Sequence, residues 1–152
     1  MKKPTPQTGD IIKFDYKWRS EHEEGKIDGG KERPCAVVLA HEHKKGEPPR
    51  LLVAPITHTE PKKGVDSIAL TGRMRQASGL DKEPQWVITQ EVNVVNWDNA
   101  GIVPAKPGKQ WLIGTFPRGL AEAVYKRVRD NSLNKKMTMI DRERPSHFKK
   151  KQ

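Results

Sequence analysis

Two neighbouring apolar segments, RPCAVVLA at residues 33–40 and RLLVAPIT at residues 50–57, indicate a β-rich fold. Pro34 suits the start of a strand, because a proline inside a central strand would lose a ladder hydrogen bond. The charged stretch 41–49 predicts a turn that joins two consecutive strands. Further strands are expected at residues 11–16 and 65–70, and a long β-rich segment at 85–97, whereas 71–84 and 98–110 are expected to be irregular.

One long helix is predicted late in the chain. Leu120, Val124 and Val128 recur at the four-residue spacing of a helix face that packs on a sheet. Pro117 suits the first helical turn, Thr115 is a candidate cap, and the helix is expected to end near residue 134. Several short strands followed by this helix predict a mainly β fold with a C-terminal helix, arranged as a small barrel or curled sheet.

The chain of 152 residues is long enough for one domain with a core. We expect a flexible lead-in at residues 1–8, the domain at 9–134, and a basic tail at 135–152. The net charge is +10, of which the tail supplies +5 from seven Lys or Arg against two acidic residues. Such a tail can attract nucleic acid in a salt-dependent way, or it can simply favour solubility. The glycine-rich loop 17–32 is expected to be functional or disordered.

Several protein classes are not supported by the sequence. No apolar run approaches the roughly 20 residues of a membrane span, and the start of the chain does not resemble a signal peptide. Cys35 lies in an apolar run, which predicts a buried, inert thiol. His41 and His43 alternate on one stretch without a third ligand nearby, so no metal site is predicted. With no phosphate loop, dinucleotide fingerprint or nucleophile elbow, no cofactor is expected, and a cytoplasmic location fits.

Short motifs at the starts and ends of the predicted strands occur in an order that resembles a known family pattern. Gly9-Asp10-Ile11 opens a strand, Arg33-Pro34 precedes an apolar strand, and Pro55-Ile56-Thr57 ends the next one. Weaker matches follow at EVNVV (residues 91–95) and GTF (residues 114–116). Over residues 9–133 this pattern resembles the MazF/PemK-like toxin family. The resemblance implies an SH3-like barrel of about five to seven strands.

The resemblance further implies a function. In that family the arginine of Arg-Pro and the threonine of Pro-Ile-Thr line the cleavage site, and these are Arg33 and Thr57 here. The implied activity is metal-independent cleavage of single-stranded RNA, leaving a 2′,3′-cyclic phosphate and a 5′-hydroxyl. The implied biological role is the toxin of a type II toxin–antitoxin pair, a homodimer held inactive by an antitoxin protein. Arginine suits the phosphate because it is always charged and offers a fork of donors.

Other candidate site residues follow from their chemistry. The proton-transfer partner is not identified, and His58 and Glu24 are the candidates that assist catalysis. Trp18 lies in the polar loop and is the candidate for stacking on an unpaired base, whereas Trp86, Trp97 and Trp111 are expected in the core. The cations predicted to contact RNA are Lys17, Arg19, Lys31, Arg73 and Arg75.

Alternatives remain open both for the two residues and for the whole chain. Arg33 can be a surface residue that pairs with Glu32, and Thr57 an ordinary residue at a strand end. The chain can be a noncatalytic barrel that binds RNA or DNA, or a CcdB-like poison of DNA gyrase that acts by protein contact. Only the nuclease requires the polar groups of both Arg33 and Thr57.

Overall fold

The computed structural model describes residues 2–20, 31–42 and 44–144. Most of the predicted loop 17–32, the end of the predicted tail and His43 lie outside these ranges. The fold is mainly β, with helices α1 (Gly72–Ala77) and α2 (Arg118–Leu133). The strands are β1 (Asp10–Phe14), β2 (Arg33–His41), β3 (Arg50–Thr57), β4 (Ser67–Leu70), β5 (Gln85–Ile88), β6 (Glu91–Asn96), β7 (Ile102–Val103), β8 (Gly114–Thr115) and β9 (Thr138–Asp141).

Strand β3 is central to the sheet, because it pairs with β2, β5 and β6. One edge of β3 pairs antiparallel with β2, across a bulge between Val37 and Leu39. Its other edge changes partner along its length, because residues 50–53 pair with β6 and residues 56–57 pair with β5. Pro55, which has no N–H to donate, lies where the partner changes. The described strands thereby form one curled, largely antiparallel sheet, with the sequence β4-β5-β3-β2-β1-β7 across it.

The two faces of the sheet carry separate cores. Ile11 and Ile12 are adjacent and both buried, and they belong to different clusters, as expected for side chains that alternate along a strand. The first cluster includes Leu120, Val124 and Val128 of α2, which confirms the predicted helix face. The second cluster contains the large aromatic side chains Phe14, Tyr16 and Trp97 and also Cys35. Cys35 is fully buried, as predicted.

Both predicted ends of the domain extend further than expected. Strand β9 follows α2 and pairs parallel with β6, so the long helix is not the last element and residues 138–141 belong to the sheet. At the other end, the Lys3 ammonium donates to the carbonyl oxygen of Trp97, and the Trp97 indole donates to that of Pro4 at 3.0 Å. These contacts attach the described part of the lead-in to the second core cluster.

Two local predictions were wrong. Residues 71–84 are not wholly irregular, because α1 begins after Thr71, whose hydroxyl accepts a hydrogen bond from Met74 N at 3.2 Å. Thr115 does not cap α2: its hydroxyl donates to Asp10 at 3.0 Å, and Pro117 occupies the cap position without a side-chain hydrogen bond. Within the described ranges, no helix is long and apolar enough to cross a bilayer.

Candidate functional site

Arg33 and Thr57 are brought together by the pairing of β2 with β3. The β2–β3 ladder ends with Cys35 opposite Pro55, and Arg33 and Thr57 each lie two residues beyond that pair on their own strands. Both residues line one open cleft of about 650 Å³, which is within the ~300–1,000 Å³ typical of ligand sites. The two residues that the sequence selected therefore share a site, although they are 24 positions apart in the chain.

The cleft has polar groups on an apolar floor. Its remaining lining residues are Trp18, Arg19, Ser20, Thr59, Glu60, Pro61, Lys62, Val65, Ile88, Gln90, Glu91 and Thr138. Cations and carboxylates both occur in this set, so the cleft can bind a phosphate and also accept a proton. Of the predicted contact residues, Trp18 and Arg19 lie here.

Among the described residues, the guanidinium of Arg33 contacts an aromatic ring and forms no ion pair. Its Cζ lies 5.1 Å from the centre of the Trp18 ring. Arg33 Nε is buried and has no hydrogen-bond partner among the described residues. The alternative pairing with Glu32 does not occur, because Glu32 lies 4.0 Å from the Lys13 ammonium instead. A buried donor without a partner costs about 1–3 kcal/mol.

Thr57 lies at the end of β3 and is half-buried. Its Oγ1 accepts a hydrogen bond from Thr59 N at 3.0 Å. This bond fixes the hydroxyl oxygen as an acceptor and leaves the hydroxyl's own hydrogen to be donated. The pair Arg33 and Thr57 can thus present two donors to one anionic group.

Contacts made by the two preceding residues, Tyr16 and Lys17, hold Trp18 in position. Asn93 is buried; its amide oxygen accepts from Lys17 N and its amide nitrogen donates to Lys17 O, both at 2.9 Å. Tyr16 meets Trp18 edge-on, with ring centres 5.1 Å apart. Lys17 itself is only 3% exposed, so it does not present its ammonium to RNA as predicted. The segment is anchored to the sheet through its backbone, which the polar sequence around it did not indicate.

Glu91 was missed by the sequence analysis as a site residue. Its carboxylate lies in the cleft wall and accepts from the Tyr16 hydroxyl at 2.9 Å and from Arg19 N at 3.0 Å. Burial, followed by the charge of Glu91 and this hydrogen bond, raises the pKa of Tyr16 well above its ordinary value. Glu60, three residues beyond Thr57, is a second carboxylate in the cleft. Its proximity to Thr57 in the chain was a signal that could have selected it.

The remaining predicted site residues lie elsewhere. His58 is not among the cleft residues, and its Nε2 lies 3.0 Å from the carboxylate of Asp81. Arg75 donates to the carbonyl oxygens of Leu70 and Lys82 at 2.6 and 3.1 Å, which ties α1 to the residues on either side of it. Arg73 is exposed on α1 and Lys31 is exposed before β2, and neither lines the cleft. Glu24 lies outside the described residues.

The cleft therefore combines a guanidinium with an unsatisfied donor, a hydroxyl with a hydrogen to donate, and two carboxylates. In the part of the chain that the structure describes, no group of three or more His, Cys, Asp or Glu side chains is placed to hold a metal ion. Comparison with protein-family models, with curated proteins and with solved structures finds no match to this chain.

Proposed function

We propose that this chain is an endoribonuclease of the MazF/PemK type that cuts single-stranded RNA without a metal ion. In this proposal the curled sheet is an SH3-like barrel, and the protein is the toxin of a type II toxin–antitoxin pair in the cytoplasm. The observation that carries the proposal is that Arg33 and Thr57 line the same cleft.

The reaction needs no nucleophile from the protein. The ribose 2′-oxygen attacks the adjacent phosphorus, the O2′–P bond forms, and the P–O5′ bond breaks. The 2′-hydroxyl proton passes to a base and the 5′-oxygen receives a proton, which leaves a 2′,3′-cyclic phosphate and a 5′-hydroxyl. Arg33 and Thr57 donate to the phosphoryl oxygens, where negative charge accumulates. Removing one such donor typically slows a reaction by about 10²–10³-fold.

The base is assigned by position in the cleft. Glu91 and Glu60 are the described carboxylates that line it, and a carboxylate can accept the 2′-hydroxyl proton. Glu91 is the better oriented of the two, since two hydrogen bonds fix its Oε2. His58 and Glu24 stay predictions as assisting groups.

The proposed partners follow from charge and family resemblance. Arg19, Arg33 and Lys62 place positive charge in the cleft beside Glu60 and Glu91. The whole chain carries +10, which favours the approach of RNA and of an acidic antitoxin segment. A homodimer is the proposed assembly, because barrels of the resembled family form two-fold dimers.

The test is cleavage of a mixed-sequence single-stranded RNA in EDTA. The native protein is expected to cut it and to leave 5′-hydroxyl ends, which a polynucleotide kinase labels without prior phosphatase treatment. Arg33→Ala is expected to lower the rate by about 10²–10³-fold, and Thr57→Val by a similar factor. Arg118→Ala is the matched control, since the Arg118 side chain is 93% exposed on α2 and lies outside the cleft. Intact RNA with the native protein, or equal loss with Arg118→Ala, contradicts the proposal.

A second candidate is a module that binds single-stranded nucleic acid without cutting it. The observation that favours it is the stacking of Arg33 on Trp18, because aromatic planes with cations are typical of such grooves. The same assay separates the two functions. A binding module would retard the RNA in a native gel, leave it intact, and lose that retardation in Arg33→Ala.

A further inference from the structure

Trp86 lies next to Thr57 on the side of β3 away from Arg33. Thr57 of β3 and Trp86 of β5 are directly paired in the antiparallel ladder. Directly paired residues present their side chains on the same face, with Cβ atoms about 4.5–5.5 Å apart. In the strand order β5-β3-β2 the row is Trp86, Thr57 and Arg33, with Arg33 two residues beyond the last β2–β3 ladder pair. The guanidinium of Arg33 lies over the Trp18 ring.

The surroundings of Trp86 are not those of a core tryptophan. It is half-buried and belongs to neither core cluster, which does not fit the prediction that it packs in the core. Its partner on the far side is Ala69 of β4, a small and exposed residue. Ile88, two residues along the same strand and so on the same face, lines the cleft. Trp86 thus lies between Thr57 and Ala69 in the ladder; it is not a lining residue of the cleft, but Thr57 and Ile88 beside it are.

We infer that Trp86 is a second stacking platform for single-stranded RNA, on the opposite side of Arg33 and Thr57 from Trp18. This inference rests on the proposed function. The phosphate lies at Arg33 and Thr57, one flanking base stacks at Trp18, and another stacks on Trp86. A strand can meet both indoles only with its bases unpaired and turned toward the protein, so the row selects single strands over duplexes.

The experiment measures binding apart from cleavage. The probe is a labelled mixed-sequence strand of about ten 2′-O-methyl ribonucleotides, a length in the usual range for such grooves. Its methylated 2′-oxygen cannot attack the phosphorus, so the probe stays intact. Fluorescence anisotropy gives the Kd for native protein, Trp86→Leu and Trp86→Phe. Leucine keeps apolar bulk without a π-face, whereas phenylalanine keeps a π-face.

Trp86→Leu is expected to raise the Kd about 5- to 50-fold, and Trp86→Phe to recover most of the native affinity. An abasic strand of equal length, which has phosphates but no bases, should bind native protein and Trp86→Leu equally. Tyr125→Ala is the control, since Tyr125 is 38% exposed on α2 and lies outside the cleft. Its Kd should match that of the native protein.

Three results overturn the inference: an unchanged Kd in Trp86→Leu, an equal loss on the abasic strand, or tighter binding of a duplex. Cleavage of unmodified RNA is measured in parallel, which separates the two proposals. Native cleavage with no dependence of binding on Trp86 removes only the stacking platform. Trp86-dependent binding without cleavage removes the nuclease and leaves the platform in place.

Discussion

Arg33 and Arg142 both lie over aromatic rings of the second core region, but their polar surroundings differ. Arg142, directly after β9, has its Cζ 4.8 Å from the centre of the Phe14 ring, and its side chain is 5% exposed. It donates to the carbonyl oxygen of Asp15 at 2.7 Å, to the carboxylate of Asp15 at 3.3 Å and to Asn93 at 3.2 Å. Arg33 also stacks on a ring, that of Trp18, but its Nε has no partner among the described residues.

On the proposed function, the difference separates a structural cation, Arg142, from one that binds the phosphate, Arg33. The donors of Arg142 are directed at protein acceptors, and through Asn93 it supports the same segment that positions Trp18. Arg33 lies against a ring, and no hydrogen bond joins its guanidinium to another of the described residues. Stacking thus orients both side chains, and the hydrogen bonds distinguish their roles.

The largest effect is expected on the free energy of unfolding, and it tests the comparison of Arg142 with Arg33. Arg142→Met is expected to lower the free energy of unfolding by about 3 kcal/mol, because it removes three hydrogen bonds, one of them an ion pair, from a buried site. Arg33→Met is expected to change it by less than about 1 kcal/mol, since no protein acceptor loses a donor. Urea unfolding followed by circular dichroism measures both. Equal losses in the two variants would show that Arg33 is a structural residue as well.

The sequence predicted those parts of the fold that depend on residues close together in the chain. Strands β2 and β3, the apolar face of α2 and the buried Cys35 all follow from the periodicity of neighbouring residues. Strand β9 was missed because it is short and its pairing with β6 is parallel and distant in the chain. Helix α1 had a readable signal in the Thr71 cap, but six residues give little periodicity to detect.

The residues of the cleft were likewise predicted only where short sequence motifs mark them. Arg33 and Thr57 were selected through the family resemblance, which rests on the local patterns Arg33-Pro34 and Pro55-Ile56-Thr57. Glu91 lines the cleft, and Trp86 adjoins it by pairing with Thr57, only because distant segments meet in the sheet, which no single segment encodes. Lys17 was predicted to be exposed from its polar neighbours, whereas Asn93, 76 positions away, fixes its backbone at the sheet.

A smaller effect on stability is expected at Asp66, which connects the wall of the cleft to α2. Asp66 adjoins the cleft residue Val65 and accepts hydrogen bonds from Thr89, Asn131 and Arg127. Burial alone would raise the pKa of Asp66, but these hydrogen bonds and the charge of Arg127 outweigh it and lower the pKa below its ordinary value of 3.8. The ionised carboxylate therefore stabilises the folded state.

Asp66→Asn is accordingly expected to be destabilising at neutral pH. Its effect should be smaller than that of Arg142→Met, because the Asp66 side chain is 31% exposed. A lowered folded pKa contributes stability that is present above pH 3.8 and is lost as the pH falls through the folded pKa. Urea unfolding of both proteins from pH 7 to pH 2 should show the difference between them shrinking only at the acid end. A difference that does not change with pH would assign the effect to packing.

The smallest effect, on the rate of RNA cleavage, is expected for a substitution of His58. This residue follows Thr57 in the chain but does not line the cleft. Its imidazole is directed at Asp81, 3.0 Å away, and its side chain is 51% exposed. If position in the cleft decides function, His58→Gln lowers the rate of RNA cleavage by less than about threefold, whereas Glu91→Gln lowers it by about 10²-fold. Single-turnover rates across a pH series measure both, and a pH dependence that disappears in one variant identifies the base. A loss of about 10²-fold in His58→Gln would mean that the imidazole leaves Asp81 and turns into the cleft when RNA binds.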